Sequence, residues 1–136
     1  NREATFATVD DLAEAFNTSS TATAIRLVQA GSFPAMVVCS ENGDRKWFVR
    51  GPDVPESLWP RETPTPYTVA ADLLKGKPCK TPNEIRADGW LSHRGSHGYY
   101  VIEDSRRVGR DSILTLVWWK DESQLVDITE EEESRY

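Results

Sequence analysis

The segment Ile113-Leu114-Thr115-Leu116-Val117-Trp118-Trp119 is apolar at almost every position. Successive side chains of a strand point to opposite faces, so this run has two apolar faces and both must be covered. It predicts a central strand with a helix on one face and, on the other, a helical pair or another subunit. The rest of the chain has to supply those covers. At 136 residues it has room for one domain, or for one small domain with an appended helical element, but not for two large cores. A hydrophobic content of 38 %, including five Trp, four Tyr and four Phe, is sufficient for one such core.

The N-terminal region offers the helical pair. Thr8 is an N-cap candidate, and Val9, Leu12, Ala13 and Phe16 recur at helical spacing after it. Beyond Asn17-Thr18, Ser19 or Ser20 can cap a second helix with Ala22, Ile25, Leu27 and Val28 on its apolar side and Gly31 as a left-handed stop. This helix-turn-helix outline occurs both in ordinary helix packing and in DNA-binding proteins. Ser20 and Arg26 are the positions from which the pair could touch a partner. Arg26 is the second helix's only cation, a poor phosphate clamp, so packing is favoured over DNA reading.

From Pro34 the pattern changes to strand. Ala35 to Ser40 and Lys46 to Arg50 flank Asn42-Gly43, a strong hairpin signal. Residues 51–66 carry Pro52, Pro55, Pro60, Pro64 and Pro66 and read as a long loop. Tyr67 to Leu74 can form a short helix burying Val69, Ala70, Leu73 and Leu74, stopped by Gly76 and Pro78. Arg86 to Leu91 is predicted as a strand, residues 92–98 as a glycine-bearing turn and Tyr99 to Glu103 as the next strand, joined by a loop over residues 105–110 to the apolar run. The expected class is α+β, with a helical pair over residues 1–31, a sheet domain over 32–126 and an acidic tail over 127–136.

Net charge is −6, and its placement narrows the function. Between Asp121 and Tyr136, Asp121, Glu122, Asp127, Glu130, Glu131, Glu132 and Glu133 face Arg135 alone, which leaves the body of the chain balanced. A neutral body lacks the basic footprint of strong non-specific DNA binding. Cys39 and Cys79 are too few for a disulfide scaffold, and no apolar run reaches the roughly 18 residues of a membrane span, so a cytoplasmic protein with reduced thiols and no membrane contact is expected. Asn1-Arg2-Glu3-Ala4 is not a targeting segment, and the chain is expected to be part of something longer.

Candidate chemistry is sparse. His93 and His97 have the i, i+4 spacing of an HExxH zinc pair, but Arg94-Gly95-Ser96 supplies no base and opposes a helix, so they read as turn histidines. Neither cysteine has metal-site spacing, and Cys39 lies in an apolar strand, so no catalytic and no metal residue is assigned. Arg106, Arg107 and Arg110 fall in the predicted 105–110 loop and are the candidates for an anion or acidic-partner contact. Trp47, Trp59, Trp90, Tyr99 and Tyr100 are the aromatic candidates for a ligand pocket or a partner surface, with much of the aromatic set expected in the core.

Several motifs occur together: Leu12-Ala13-Glu14-Ala15-Phe16-Asn17-Thr18-Ser19, Ala24-Ile25-Arg26-Leu27, Met36-Val37-Val38-Cys39-Ser40-Glu41-Asn42-Gly43, Lys46-Trp47-Phe48-Val49-Arg50, Ala87-Asp88-Gly89-Trp90-Leu91 and Ile102-Glu103-Asp104-Ser105. Along with the apolar run they resemble the region that follows the zinc-peptidase core in bacterial ImmA/IrrE-type (DUF955) proteins. The resemblance covers most of the chain from about Val9 to Trp119 and is spread over many moderate motifs. It implies a parent with an N-terminal HExxH zinc endopeptidase that cleaves repressor-type proteins in stress responses, then a helix-turn-helix-like linker and a GAF/PAS-like domain. No HExxH stands in this sequence, so zinc is expected only in the absent peptidase and no cofactor in this chain. The implied role is regulatory, with the parent's own peptidase domain, a small-molecule ligand or a second copy as partner. A DNA-binding regulator using the helical pair is the alternative.

Overall fold

The structure, a computed structural model, describes residues 5–16, 19–31, 33–77, 79–92, 99–120, 123 and 125. Two helices, α1 (Phe6–Phe16) and α2 (Ser20–Ala30), precede the hairpin β1 (Ala35–Glu41) and β2 (Asp44–Arg50). A short helix α3 (Val69–Leu74), strand β3 (Asn83–Arg86), a 3-10 turn (Ala87–Gly89), β4 (Tyr100–Arg107) and β5 (Ser112–Trp118) follow. Among the described residues the strands form one antiparallel sheet in the order β2-β1-β5-β4-β3. The fold is therefore α+β, with the apolar run at the sheet's centre.

Both of its faces are covered from within the chain. Leu114, Leu116 and Trp118 join Val37, Cys39 and Ile102 beneath Phe6, Val9, Ala24 and Val28 of the helical pair. Ile113, Val117 and Trp119 join Met36, Val38 and Val101 on the opposite face, under Ala70 of α3 and under Val54, Leu58, Trp90 and Leu91. The helical pair thus takes the face for which another subunit was the other expected cover, and residues 1–31 and 32–126 share a core across their predicted boundary.

The hairpin turns at Asn42 and Gly43, both left-handed (φ 53° and 89°), as a two-residue turn of this type requires. A Cβ at Gly43 would also lie 2.8 Å from Leu74 Cδ2, the free end of an exposed α3 side chain that can move aside, so the positive φ is what favours glycine there. The proline-rich loop wraps the outer edge of β2. Arg45 donates from its backbone N–H to Glu62 O (2.6 Å) and from its side chain to Pro60 O (2.5 Å), while Arg50 Nε donates to Leu58 O (2.8 Å). A segment poor in donors serves here through its carbonyls, and the edge strand is shielded from further pairing.

Three local expectations need correction. The first helix begins at Phe6, because Thr5 rather than Thr8 holds its start: Thr5 Oγ1 accepts from Thr8 N–H at 3.4 Å. Arg86 to Leu91 is not a strand. The chain leaves β3 at Arg86 and turns, with Asp88 held by the Tyr67 hydroxyl at 2.7 Å and Gly89 leaving the room that Tyr67 occupies, where a Cβ would lie 3.0 Å from Tyr67 Cε2; Trp90 then enters the core. Finally, β4 continues through Arg106 and Arg107, which pair with Leu114 and Ile113, so these two arginines stand on a strand and not in a loop. Residues 93–98 of the expected turn, with both histidines, and residues 127–136 lie outside the described residues. Among the described residues no helix is long and apolar enough to cross a membrane.

Candidate functional site

Strand β4 carries acids and bases where a sheet interior would ordinarily be apolar, and each has a structural partner. Glu103 and Asp104 are adjacent, so pleating sends them to opposite faces. Glu103 is fully buried and accepts from the N–H groups of Val69 (2.8 Å) and Ala70 (2.9 Å), the first two residues of α3. Those donors have no partner within a helix, and a carboxylate is the favoured group at a helix N-terminus. The Ser105 hydroxyl adds a third bond at 2.7 Å and is itself 2.7 Å from the Thr115 hydroxyl. The Trp90 indole N–H is directed at the same carboxylate at a geometry short of a full hydrogen bond. Burial pushes the Glu103 carboxyl above its ordinary value, and the Ser105, Val69 and Ala70 donors pull against that shift.

Asp104 does the corresponding work on the other face. Also buried, it accepts from the Phe6 N–H that opens α1 (2.8 Å) and from the Thr81 hydroxyl (2.8 Å). Two residues further on, Arg106 makes a bidentate pair with Asp10 of α1 (2.7 and 2.9 Å) and covers the Phe6 ring at 4.5 Å. The Arg106 guanidinium holds the Asp10 carboxyl below its usual range. Arg107 turns back to the α3 side, donating to Leu73 O at the helix's C-terminal end and to Arg110 O at 2.7 Å. One strand therefore holds α3 by an acid at its N-terminus and a base at its C-terminus, and holds α1 by Asp104 and Arg106.

Beside α3 the α3-side face is left open. A cavity of about 180 Å³ lies between the end of β1, the start of β5, α3 and the loop, lined by Ser40, Pro64, Pro66, Ala71, Leu74 and Ile113 among others. Ser40 and Ile113 are register partners, so both reach it from the sheet floor. Ser40 is 3 % exposed, and among the described residues its hydroxyl has no hydrogen-bond partner. A second depression of about 250 Å³ over Ile102, Trp118 and Lys120 is shallower and more polar.

None of the aromatic candidates lines this cavity. Trp90 is fully buried, Trp47 packs toward the helical pair, and Tyr99 packs on the α3 side. Tyr100 is exposed, and Trp59 is 49 % exposed with its ring edge-on to Phe48 (5.2 Å) between the guanidiniums of Arg45 and Arg50. Alternation along each strand separates neighbours such as Tyr99 and Tyr100, which a list of aromatics in sequence does not reveal. The three arginines likewise form no joint anion site, because Arg106 and Arg107 serve opposite faces and Arg110 is exposed at the turn. In the helical pair Ser19, not Ser20, is the cap, its Oγ accepting from the Ala22 N–H at 3.1 Å, and Arg26 is exposed.

Ser40, Glu103 and Asp104, which shape the site, belong to no motif with a chemistry of its own. The available signal was parity. Met36, Val38 and Ser40 share one face, so Ser40 is a polar residue ending an apolar row, and Glu103-Asp104 are two acids that follow Val101-Ile102 inside β4. Burial raises the Cys39 thiol above its ordinary value, away from the thiolate a nucleophile needs. Among the described residues no group of three His, Cys, Asp or Glu side chains could hold a metal ion. Comparison with protein families, with curated proteins and with solved structures gives no match for this chain.

Proposed function

We propose that this chain is a non-catalytic regulatory module: its α3 face receives a ligand or a protein partner, and the helical pair passes that state onward. The parent in this reading is a cytoplasmic ImmA/IrrE-like zinc endopeptidase acting on repressor-type proteins, with a GAF-like sensor at its C-terminal end. The single observation that carries the reading is the junction on β4. Glu103 grips the first N–H groups of α3, and the next residue, Asp104, grips the first N–H of α1. Adjacent Cα atoms are about 3.8 Å apart, so a displacement of α3 that shifts Glu103 is felt at Asp104 with no intervening contact. An occupant alters the helical pair to the extent that it binds two arrangements of this junction unequally.

The test is to titrate metabolite and nucleotide pools and candidate partner proteins against the chain, following the thermal midpoint, the oligomeric state and amide exchange in α1. A stabilising occupant that also slows exchange at Phe6 to Val9 is expected. A chain that stays monomeric and gains no stability from anything offered would count against the reading. The peptidase connection is tested separately by looking for an HExxH in the coding sequence upstream of Asn1. The DNA-binding alternative loses Arg106 to Asp10 and Arg107 to two carbonyls, and a gel shift at low salt tests what remains of it.

A further inference from the structure

We infer that the cavity beside α3 is a binding site for a small neutral ring-sized molecule of the phenol or indole kind, whose single hydrogen-bonding group engages the Ser40 hydroxyl. This deepens the reading of the α3 face as the receiving surface and rests on it.

Size sets the first limit. An engineered apolar cavity of about 150 Å³ takes up benzene, and drug-sized ligands use pockets of about 300 Å³ and more. At about 180 Å³ the present cavity suits one ring system and its substituent. Chemistry sets the second limit. Pro64, Pro66, Ala71, Leu74 and Ile113 offer no side-chain polar atom, and prolines offer no backbone donor either. Thr63, also on the lining, gives its hydroxyl proton to Asp44 at 2.7 Å and is exposed, so as an acceptor it serves water at the rim and not the floor. The polar group left to address a ligand from the floor is Ser40, buried and without a partner among the described residues. A buried hydroxyl in that state is costly, and a ligand that completes it gains what the free protein lacks.

The walls are held before any ligand arrives. The loop wall is tied to β2 by Arg45 N–H to Glu62 O and by Thr63 to Asp44, and the α3 wall by Glu103 and Arg107 at its two ends. Proline adds rigidity, so little ordering entropy is lost on binding. Lys75 stands at the rim with its residue exposed, where its charge remains hydrated, so the cavity does not select for an anion.

The experiment uses p-cresol, indole, toluene and benzoate as probes and follows the methyl resonances of Leu74 and Ile113 by NMR in the chain, in Ser40→Ala and in Ala71→Leu, with that of Ala71 in the first two. Saturable shifts with p-cresol and indole at millimolar concentration are expected. Ser40→Ala should weaken p-cresol about three- to tenfold, the usual worth of one neutral hydrogen bond, and leave toluene unchanged. Ala71→Leu, which fills the space from the helix side, should abolish both. Ser40→Ala changes one buried atom and keeps the test open if the leucine variant folds poorly. Failure of p-cresol and indole to shift these methyls, equal p-cresol affinity in Ser40→Ala, or benzoate binding as tightly as p-cresol would each overturn the inference. Amide exchange in α1, recorded on the same samples, separates the two claims: binding without an effect on α1 sinks the relay and leaves the ligand class standing.

Discussion

The two faces of the sheet are closed in different ways. On one, two eleven-residue helices lay amphipathic stripes across Val37, Leu114 and Leu116, and buried apolar area supplies most of the cover. On the other, a six-residue helix and a proline-rich loop share the task. A helix that short is not stable by propensity and brings few side chains to the interface. It is held by a buried carboxylate at one end and a guanidinium at the other, and beside it a cavity is left. A face closed by long amphipathic elements adds one buried carboxylate, Asp104, to a cover that is mainly apolar, whereas a face closed by short ones depends on its fasteners and keeps space that a ligand can use.

Removing the fasteners breaks this comparison most directly. Glu103→Ala leaves two buried amide donors without their acceptor, so a loss on the order of 2–4 kcal/mol is expected, read as a lower urea midpoint with α3 amides exchanging first. Asp104→Ala strands one buried donor at the start of α1 and frees the Thr81 hydroxyl. Its cost is expected to be smaller, on the order of 1–3 kcal/mol, with the enhanced exchange confined to the helical-pair face. If Asp104→Ala proved the more damaging, the α3 face would not be the one that depends on its polar anchor.

The pH dependence sharpens the contrast. The folded chain holds the Glu103 proton more tightly than the unfolded chain, since burial lifts its value above the ordinary 4.5. Its contribution is therefore complete below about that pH and declines as pH rises through the raised value. Glu103→Gln should remove this decline, flattening the stability profile on the neutral side in urea titrations at several pH values. Asp10 has the opposite sign: its carboxyl is lowered from 3.8 by Arg106, so its contribution is present above that value and is lost as pH falls through the lowered one. The smallest effect is expected for Arg106→Ala. An exposed bidentate pair is worth about 0.2–1 kcal/mol, and adding salt to the natural chain should reproduce part of the loss.

Much of the fold was legible because its signals are local. The 113–119 run specified a centre, Asn42-Gly43 specified a hairpin, Gly31 stopped a helix, and each was realised where a nearby pattern dictates it. The misread segment, Arg86 to Leu91, turns where Asp88 is bound by Tyr67, a residue more than twenty positions away that no window around the segment contains. The site was less legible for the same reason. Arg106 and Arg107 look like a cationic loop in sequence, but their partners, Asp10 and Leu73, lie 96 and 34 residues distant.

By itself the sequence determined the class of architecture, the two-sided burial of one strand and the neutrality of the body, since periodicity, turn chemistry and charge are properties of neighbours along the chain. Only the tertiary structure decided what each polar residue is for. Whether Glu103 is a fastener, whether Ser40 lacks a partner and whether an arginine is free are questions about atoms brought together by folding. The cavity beside α3 is likewise a difference between volumes contributed by four separate segments, and no one of them encodes it.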